Sequence, residues 1–180
     1  MRNDIENMLT ALRAGGDALH LGCGNDPIAG VINCDLHSPH ADRRVDATDL
    51  SVFDDASINL IEHHHMIEHL SVAELNRALA ETARVLRPGG FLVVSAPDLE
   101  RVIDEWRSMA ENDRWDYGIK MLYGSQEHDG MFHKNGFTPS RLAALLEPFG
   151  IRQEWHYRGY PERRTPSFIS ISRKIGGDAR

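Results

Sequence analysis

The run FLVVSAP, residues 91–97, is apolar at nearly every position and follows a helical pattern stopped by Arg87-Pro88-Gly89-Gly90. A strand facing water on one side alternates apolar and polar residues; one without that alternation must be covered on both faces. Residues 91–97 therefore read as a central strand of a parallel sheet with helices packed above and below it. That single inference places the chain in the α/β class.

The rest of the pattern agrees. Ser71 and Glu74 have the spacing of a capping box, and Leu75, Leu79, Thr82 and Leu86 then recur on one helical face with Arg77, Glu81 and Arg84 opposite. A short amphipathic helix is expected at residues 4–13, stopped by Gly15-Gly16, and strands at 18–21, 31–36, 43–47 and 58–63. Helical spacing returns from 99 to about 115, and residues 122–137 read as a long polar loop broken by glycines. Thr138-Pro139 supplies an N-cap and first turn for the stripe Leu142, Leu145, Leu146 and Phe149. Strands at 151–157 and 167–173 around RGYPERRTP suit an antiparallel hairpin. One domain over residues 1–180 is expected, with a helix within 1–16 and a polar tail at 174–180.

Composition is that of an ordinary soluble protein, 41% hydrophobic and 26% charged. The 20 Lys plus Arg against 27 Asp plus Glu leave no basic footprint for nucleic acid or an anionic membrane, so neither partner is expected. No apolar run approaches the roughly 20 residues of a membrane span, and the start lacks a signal-peptide centre. A cytoplasmic location follows as an expectation. Cys23 and Cys34 sit in apolar segments and read as buried thiols rather than a disulfide.

The most informative segment is LHLGCGNDPIAGVINCDL, residues 19–36. A strand running into Gly22-x-Gly24 lets a ligand lie against bare backbone, and Asp35, ending the next strand, can accept hydrogen bonds from ribose hydroxyls. A dinucleotide site wants a third glycine, a helix N-terminus for the pyrophosphate and an acid about 20 residues on. Here the third glycine is missing, and Asp35 follows Gly24 too closely to admit a full crossover helix. A ligand with ribose and no phosphate, S-adenosylmethionine, fits better. The alternative is that the glycines only make a tight turn and Asp35 is a solvated strand end.

Taken in order, LHLGCG, NCDL, RVDATDL, HHHMIEHL, ETARVLRPGGFLVVSAPDL and HKNGFTPSRLAALLEPFGI resemble the class I S-adenosylmethionine-dependent methyltransferases, and within them a small bacterial branch. The resemblance implies a Rossmann-like methyltransferase sheet, mostly parallel with a C-terminal antiparallel hairpin. It also implies S-adenosyl-L-methionine as cofactor. Gly22, Cys23 and Gly24 would then meet the methionine end and Asp35 the ribose. Leu36 would pack on adenine, Asp46 and Ala47 would meet its edge, and His64 or His65 would lie beside the methyl. The chain departs from the pattern in its first crossover helix, shortened or missing, since only residues 25–30 are available for it.

EHHHMIEHL, residues 62–70, ends the fourth strand with four histidines. It contains the H-x-x-E-H spacing of a zinc peptidase class, which requires His65 and His69 on one helix. They straddle the strand–helix break before Ser71, so no metal is expected. Methyl transfer needs a base only when the acceptor must lose a proton, and histidine suits that at neutral pH. His65 is the first catalytic candidate and His133, from the long loop, the second. Glu68 and His69 read as braces of the junction; Asp98 and Tyr123 either line the acceptor pocket or are structural or exposed, and Arg158, Arg163 and Arg164 either recognise an acidic acceptor or form a solvated cluster. The expected activity is methyl transfer to a small-molecule or glycan-like acceptor, at oxygen. The rivals are a cofactor-binding protein without transferase activity and a histidine-site metallohydrolase.

Overall fold

The computed structural model describes residues 2–160 and 165–176. Its seven strands form one sheet: β1 (Ala18–Leu21), β2 (Ile32–Asp35), β3 (Arg43–Arg44), β4 (Ile58–His64), β5 (Leu86–Pro97), β6 (Ile151–Tyr160) and β7 (Ser167–Lys174). Their spatial order is β3-β2-β1-β4-β5-β7-β6, with β1 to β5 parallel and β7 antiparallel to both β5 and β6. This is the expected mostly parallel, Rossmann-like sheet with its terminal hairpin.

Alternation along the central strands decides which layer each residue joins. In β4, Leu60 packs with Ile5 and Leu9 of α1 (Arg2–Arg13), whereas Ile61 packs with Leu75 and Leu79 of α2 (Val72–Val85). Leu142 and Leu146 of α4 (Pro139–Leu146) join the α2 layer. Both faces of β4 and β5 are thereby covered, which is what the unbroken apolar run of β5 required. The capping box forms as read: Ser71 N–H donates to Glu74 Oε2 at 2.7 Å, and Glu74 N–H to Ser71 Oγ at 3.3 Å.

Some boundaries differ. Leu86, assigned to the helical stripe, opens β5, because α2 ends at Val85. The helix expected to about residue 115 stops at Ser108, where α3 (Leu99–Ser108) gives way to short turns, Glu111–Asp113, Arg114–Gly118 and Ile119–Tyr123. The tail expected from residue 174 begins later: Lys174 belongs to β7, and its Nζ donates to the carbonyls of Ala83 and Leu86, both at 2.6 Å. No helix among the described residues is long and apolar enough to cross a membrane.

Between β1 and β2 there is no helix. Asn33 holds the connection instead. Its side chain accepts from Ile28 N–H at 2.8 Å and donates to Ile28 O at 3.0 Å, while its own N–H and Nδ2 reach Asp42 Oδ2 at 2.8 and 3.0 Å. One amide side chain thus satisfies backbone groups that a helix would have paired internally.

Candidate functional site

The strand order reverses between β1 and β4, and ligands of open parallel sheets bind in the crevice at such a switch point, beyond the carboxyl ends of the strands. Gly22 leaves β1 at this point and His64 ends β4, with Leu21 paired to His63 across the two strands. Gly22 and His63 to His65 therefore lie at the carboxyl ends of two neighbouring strands.

On the β1 side, Gly22 and Gly24 both adopt positive φ, +73° and +51°. Their surroundings differ. A Cβ on Gly24 would meet nothing within 4 Å, whereas one on Gly22 would lie 2.2 Å from Cγ of Met66. The bare backbone of Gly22 thus makes room for Met66, and only Gly24 faces open space. Cys23 is buried, with its thiol raised first by burial and then by Asp35 and Asp42. Cys34 is also a free, buried thiol, pushed up to about 11 chiefly by burial.

The Asp35 carboxylate accepts three backbone amides: Gly24 on Oδ2 at 3.0 Å, and His37 and Ser38 on Oδ1 at 2.7 and 2.8 Å. Burial works to raise this carboxyl, but the amides of His37, Gly24 and Ser38 outweigh it and hold the group below its ordinary value. A carboxylate has about four acceptor positions, so roughly one remains for a ribose hydroxyl. Leu36, next in the chain, is 38% exposed and presents an apolar surface beside it. Asp46 is exposed and accepts Thr48 N–H at 2.8 Å, closing a turn, while Ala47 packs inward on the core.

Across the switch point, His64 is held between Glu62 and Ser95. Its Nε2 lies 2.9 Å from Glu62 Oε2 and its Nδ1 3.0 Å from Ser95 Oγ. Glu62 is fully buried and also takes a bidentate pair from Arg13 of α1, at 2.7 and 2.8 Å. Burial opposes its charge; the hydrogen bonds from Arg13 and His64 prevail and lower its carboxyl from 4.5 to about 2. This network was missed in the sequence. A glutamate in an otherwise buried strand signals that a cationic partner must exist, but Arg13 lies too far away along the chain to be found from spacing.

His65 turns away from its neighbour at φ +50°. Its Nδ1 is 3.3 Å from Glu68 Oε1, and its Nε2 is 3.3 Å from the hydroxyl of Ser167 on β7. His69 instead sits in the short turn Ile67–His69, edge to face with His133 at a ring separation of 5.0 Å. The i, i+4 helical pair of a zinc peptidase does not form. His133 arrives because its loop is fastened to that turn: Lys134 and Asn135 N–H donate to Glu68 O at 2.8 and 3.1 Å, and His133 N–H to Tyr123 O at 3.0 Å. Burial is the main cause that lowers the His133 imidazole, so the ring favours its neutral form.

Asp98, considered as pocket lining, is fully buried and paired with Arg158 through Oδ1 at 2.7 Å, with Glu100 also on that guanidinium at 2.8 Å. Both residues brace α3 against the hairpin. Tyr123 ends a helical turn and is exposed. Arg163 and Arg164 lie outside the described residues.

A family model described as a methyltransferase domain matches residues 22–94, the span from the first glycine turn through the central strand. That match covers 73 of the 180 residues, so the methyltransferase likeness in sequence is shown for this part of the chain. The fold is similar to that of a methyltransferase from Methanosarcina mazei, with a TM-score of 0.69 at 19% identity over 94% of this chain and 98% of that one. It is also similar to the 1,6-didemethyltoxoflavin-N1-methyltransferase of Burkholderia thailandensis, solved with that compound and S-adenosylhomocysteine, with a TM-score of 0.61 at 16% identity over 93% and 76% of the two chains. The trimodular acetylaranotin synthesis protein of Aspergillus terreus is 31% identical over 116 residues, which is 60% of this chain but only 13% of that much longer protein.

Proposed function

We propose that the chain transfers the methyl group of S-adenosylmethionine to a hydroxyl oxygen of a small-molecule or glycan-like acceptor, with His65 taking the proton. In the balanced step the sulfonium C–S bond breaks, the acceptor O–H proton goes to His65, and a methyl ether and S-adenosylhomocysteine form. Gly24 and Asp35 hold the adenosine side, Leu36, Asp46 and Ala47 border the base, and His64 lies beside the methyl. Contact with Gly22 and Cys23 requires the Met66 side chain to swing aside, which an unbranched thioether can do.

The observation that carries this reading is the arrangement around His65 at the switch point. A carboxylate at Nδ1 favours the tautomer with its proton there and leaves Nε2 to accept one. Ser167 Oγ lies 3.3 Å from Nε2 but gives its own proton to Thr165 O at 2.8 Å, so an acceptor hydroxyl must take the place of Ser167 to reach that nitrogen. An amine acceptor would need no such base, because a neutral amine attacks directly; a hydroxyl does. The small compound held by the Burkholderia protein supports an acceptor of similar size.

The test is S-adenosylhomocysteine release from the purified chain across hydroxylated small molecules, sugars and matched amines. His65→Gln should lower kcat by about 10²–10⁴ with cofactor affinity retained. Turnover confined to amines, or an unchanged kcat, would refute the role of His65.

Met66 over Gly22, together with three amides already on Asp35, favours a second reading: a protein that binds the cofactor without turning it over. Tight binding with no acceptor-dependent release of S-adenosylhomocysteine would select it.

A further inference from the structure

Glu68 is the least satisfied polar group at the β4 exit. It is 1% exposed; Oε1 is met by His65 Nδ1 at 3.3 Å, while Oε2 has no hydrogen-bond partner among the described residues. A buried carboxylate in that condition carries a desolvation cost that something must offset. Around it stand two imidazoles, and one ligand atom from each of Glu68, His69 and His133 lies within 4.8 Å of the others.

We propose that Glu68, His69 and His133 form a binding site for one divalent transition-metal ion. Ligands about 2.0–2.2 Å from a shared ion stand roughly 3–4 Å apart, so small side-chain rotations bring this set to bonding distance. A cavity of about 20 Å³ borders Glu68 and His133 on a side otherwise lined by apolar residues such as Leu99, Val102, Met121 and Phe137; His69 is not part of its wall, so the ion would sit at the cavity's edge. His69 Nδ1 faces the carbonyl of Phe132 at 3.2 Å, which fixes the proton on Nδ1 and frees Nε2 as the ligating atom. His65, beside Glu68 Oε1, orients the carboxylate from behind in the same way.

The third ligand is built in. His133 lies in a loop whose backbone is fastened to the Glu68 carbonyl through Lys134 and Asn135, and Asn135 Nδ2 donates to Leu70 O at 2.6 Å. Gly124 allows the close approach of that loop, since a Cβ there would lie 1.8 Å from Met131 O. Two imidazoles and one carboxylate suit Zn²⁺, Mn²⁺, Co²⁺ or Fe²⁺ rather than Mg²⁺ or Ca²⁺, which prefer all-oxygen shells. One carboxylate leaves the bound ion with net positive charge and open positions.

The test is calorimetric titration of the chelator-treated, full-length chain with Zn²⁺, repeated with Co²⁺ while following its visible absorption. The expected result is one ion per chain, with affinity lowered by at least about tenfold in His133→Ala and in Glu68→Gln, and unchanged in His156→Ala on exposed β6. His133→Ala keeps the test decisive if Glu68→Gln fails to fold. Absence of stoichiometric binding, or binding that survives His133→Ala, overturns the site. S-adenosylhomocysteine binding is measured in parallel: cofactor without metal refutes this inference alone, and metal without cofactor refutes the transferase reading while leaving the site.

Discussion

Replacing Glu62 by glutamine removes the charge at the centre of the Arg13–Glu62–His64 network and leaves its volume intact. Two routes give the size of the effect. Lowering a carboxyl from 4.5 in the unfolded chain to about 2 in the folded one corresponds to roughly 3 kcal/mol of stability at neutral pH. Removing one partner of a buried ion pair typically costs about 3–5 kcal/mol, since the Arg13 guanidinium, 20% exposed, then loses its counter-charge. Both point to about 3 kcal/mol, which lowers a urea midpoint by roughly 1–2 M. The sign of the pH dependence follows from the depressed value: the contribution is complete above about pH 4.5 and is lost as pH falls toward 2. Urea unfolding of the parent and Glu62→Gln across that range measures it. A difference below about 1 kcal/mol at pH 7, or one that does not shrink on acidification, refutes the reasoning. Because Glu62 also holds His64 Nε2, the variant should bind cofactor more weakly.

Other consequences are smaller or more local. Asp35→Ala should weaken S-adenosylhomocysteine binding by about 1.5–3 kcal/mol, as expected for loss of a charged acceptor; unchanged affinity by calorimetry would remove Asp35 from the site. Gly24→Ala points into open space, so thermal unfolding should show a loss of only about 1 kcal/mol, from its positive φ, while cofactor affinity falls; the opposite pattern would place the ligand elsewhere. Ser71→Ala should cost about 1 kcal/mol by opening the capping box, measurable in urea, with cofactor affinity unaffected.

Local rules made the architecture legible. The unbroken apolar run of β5, the Ser71–Glu74 box and the Thr138-Pro139 start are each set by neighbours within a few residues, and the shortness of residues 25–30 was enough to remove the first crossover helix. The strand ends that form the crevice were legible for the same reason. What fills the crevice was not. Met66 over Gly22, Arg13 on Glu62 and Ser167 at His65 are all contacts between segments brought together only by the sheet order. Likewise, His69 and His133 meet because backbone amides of one loop find a carbonyl in a distant turn, and that pairing leaves no periodic trace. For Asp98 the sequence left pocket lining and a structural role open, and full burial beside Arg158 decides for a brace.

The account's central claim is that the turn at Gly24 and the carboxylate of Asp35 receive the adenosine of S-adenosylmethionine beside the β4 exit. A crystal structure of the chain soaked or grown with S-adenosylhomocysteine tests this most directly. The account predicts ribose oxygens on Asp35, backbone of residues 22–24 against the homocysteine moiety, and Met66 displaced from Gly22. Density for the ligand at another edge of the sheet, with Met66 still seated on Gly22 and the Asp35 amide contacts unchanged, would contradict it.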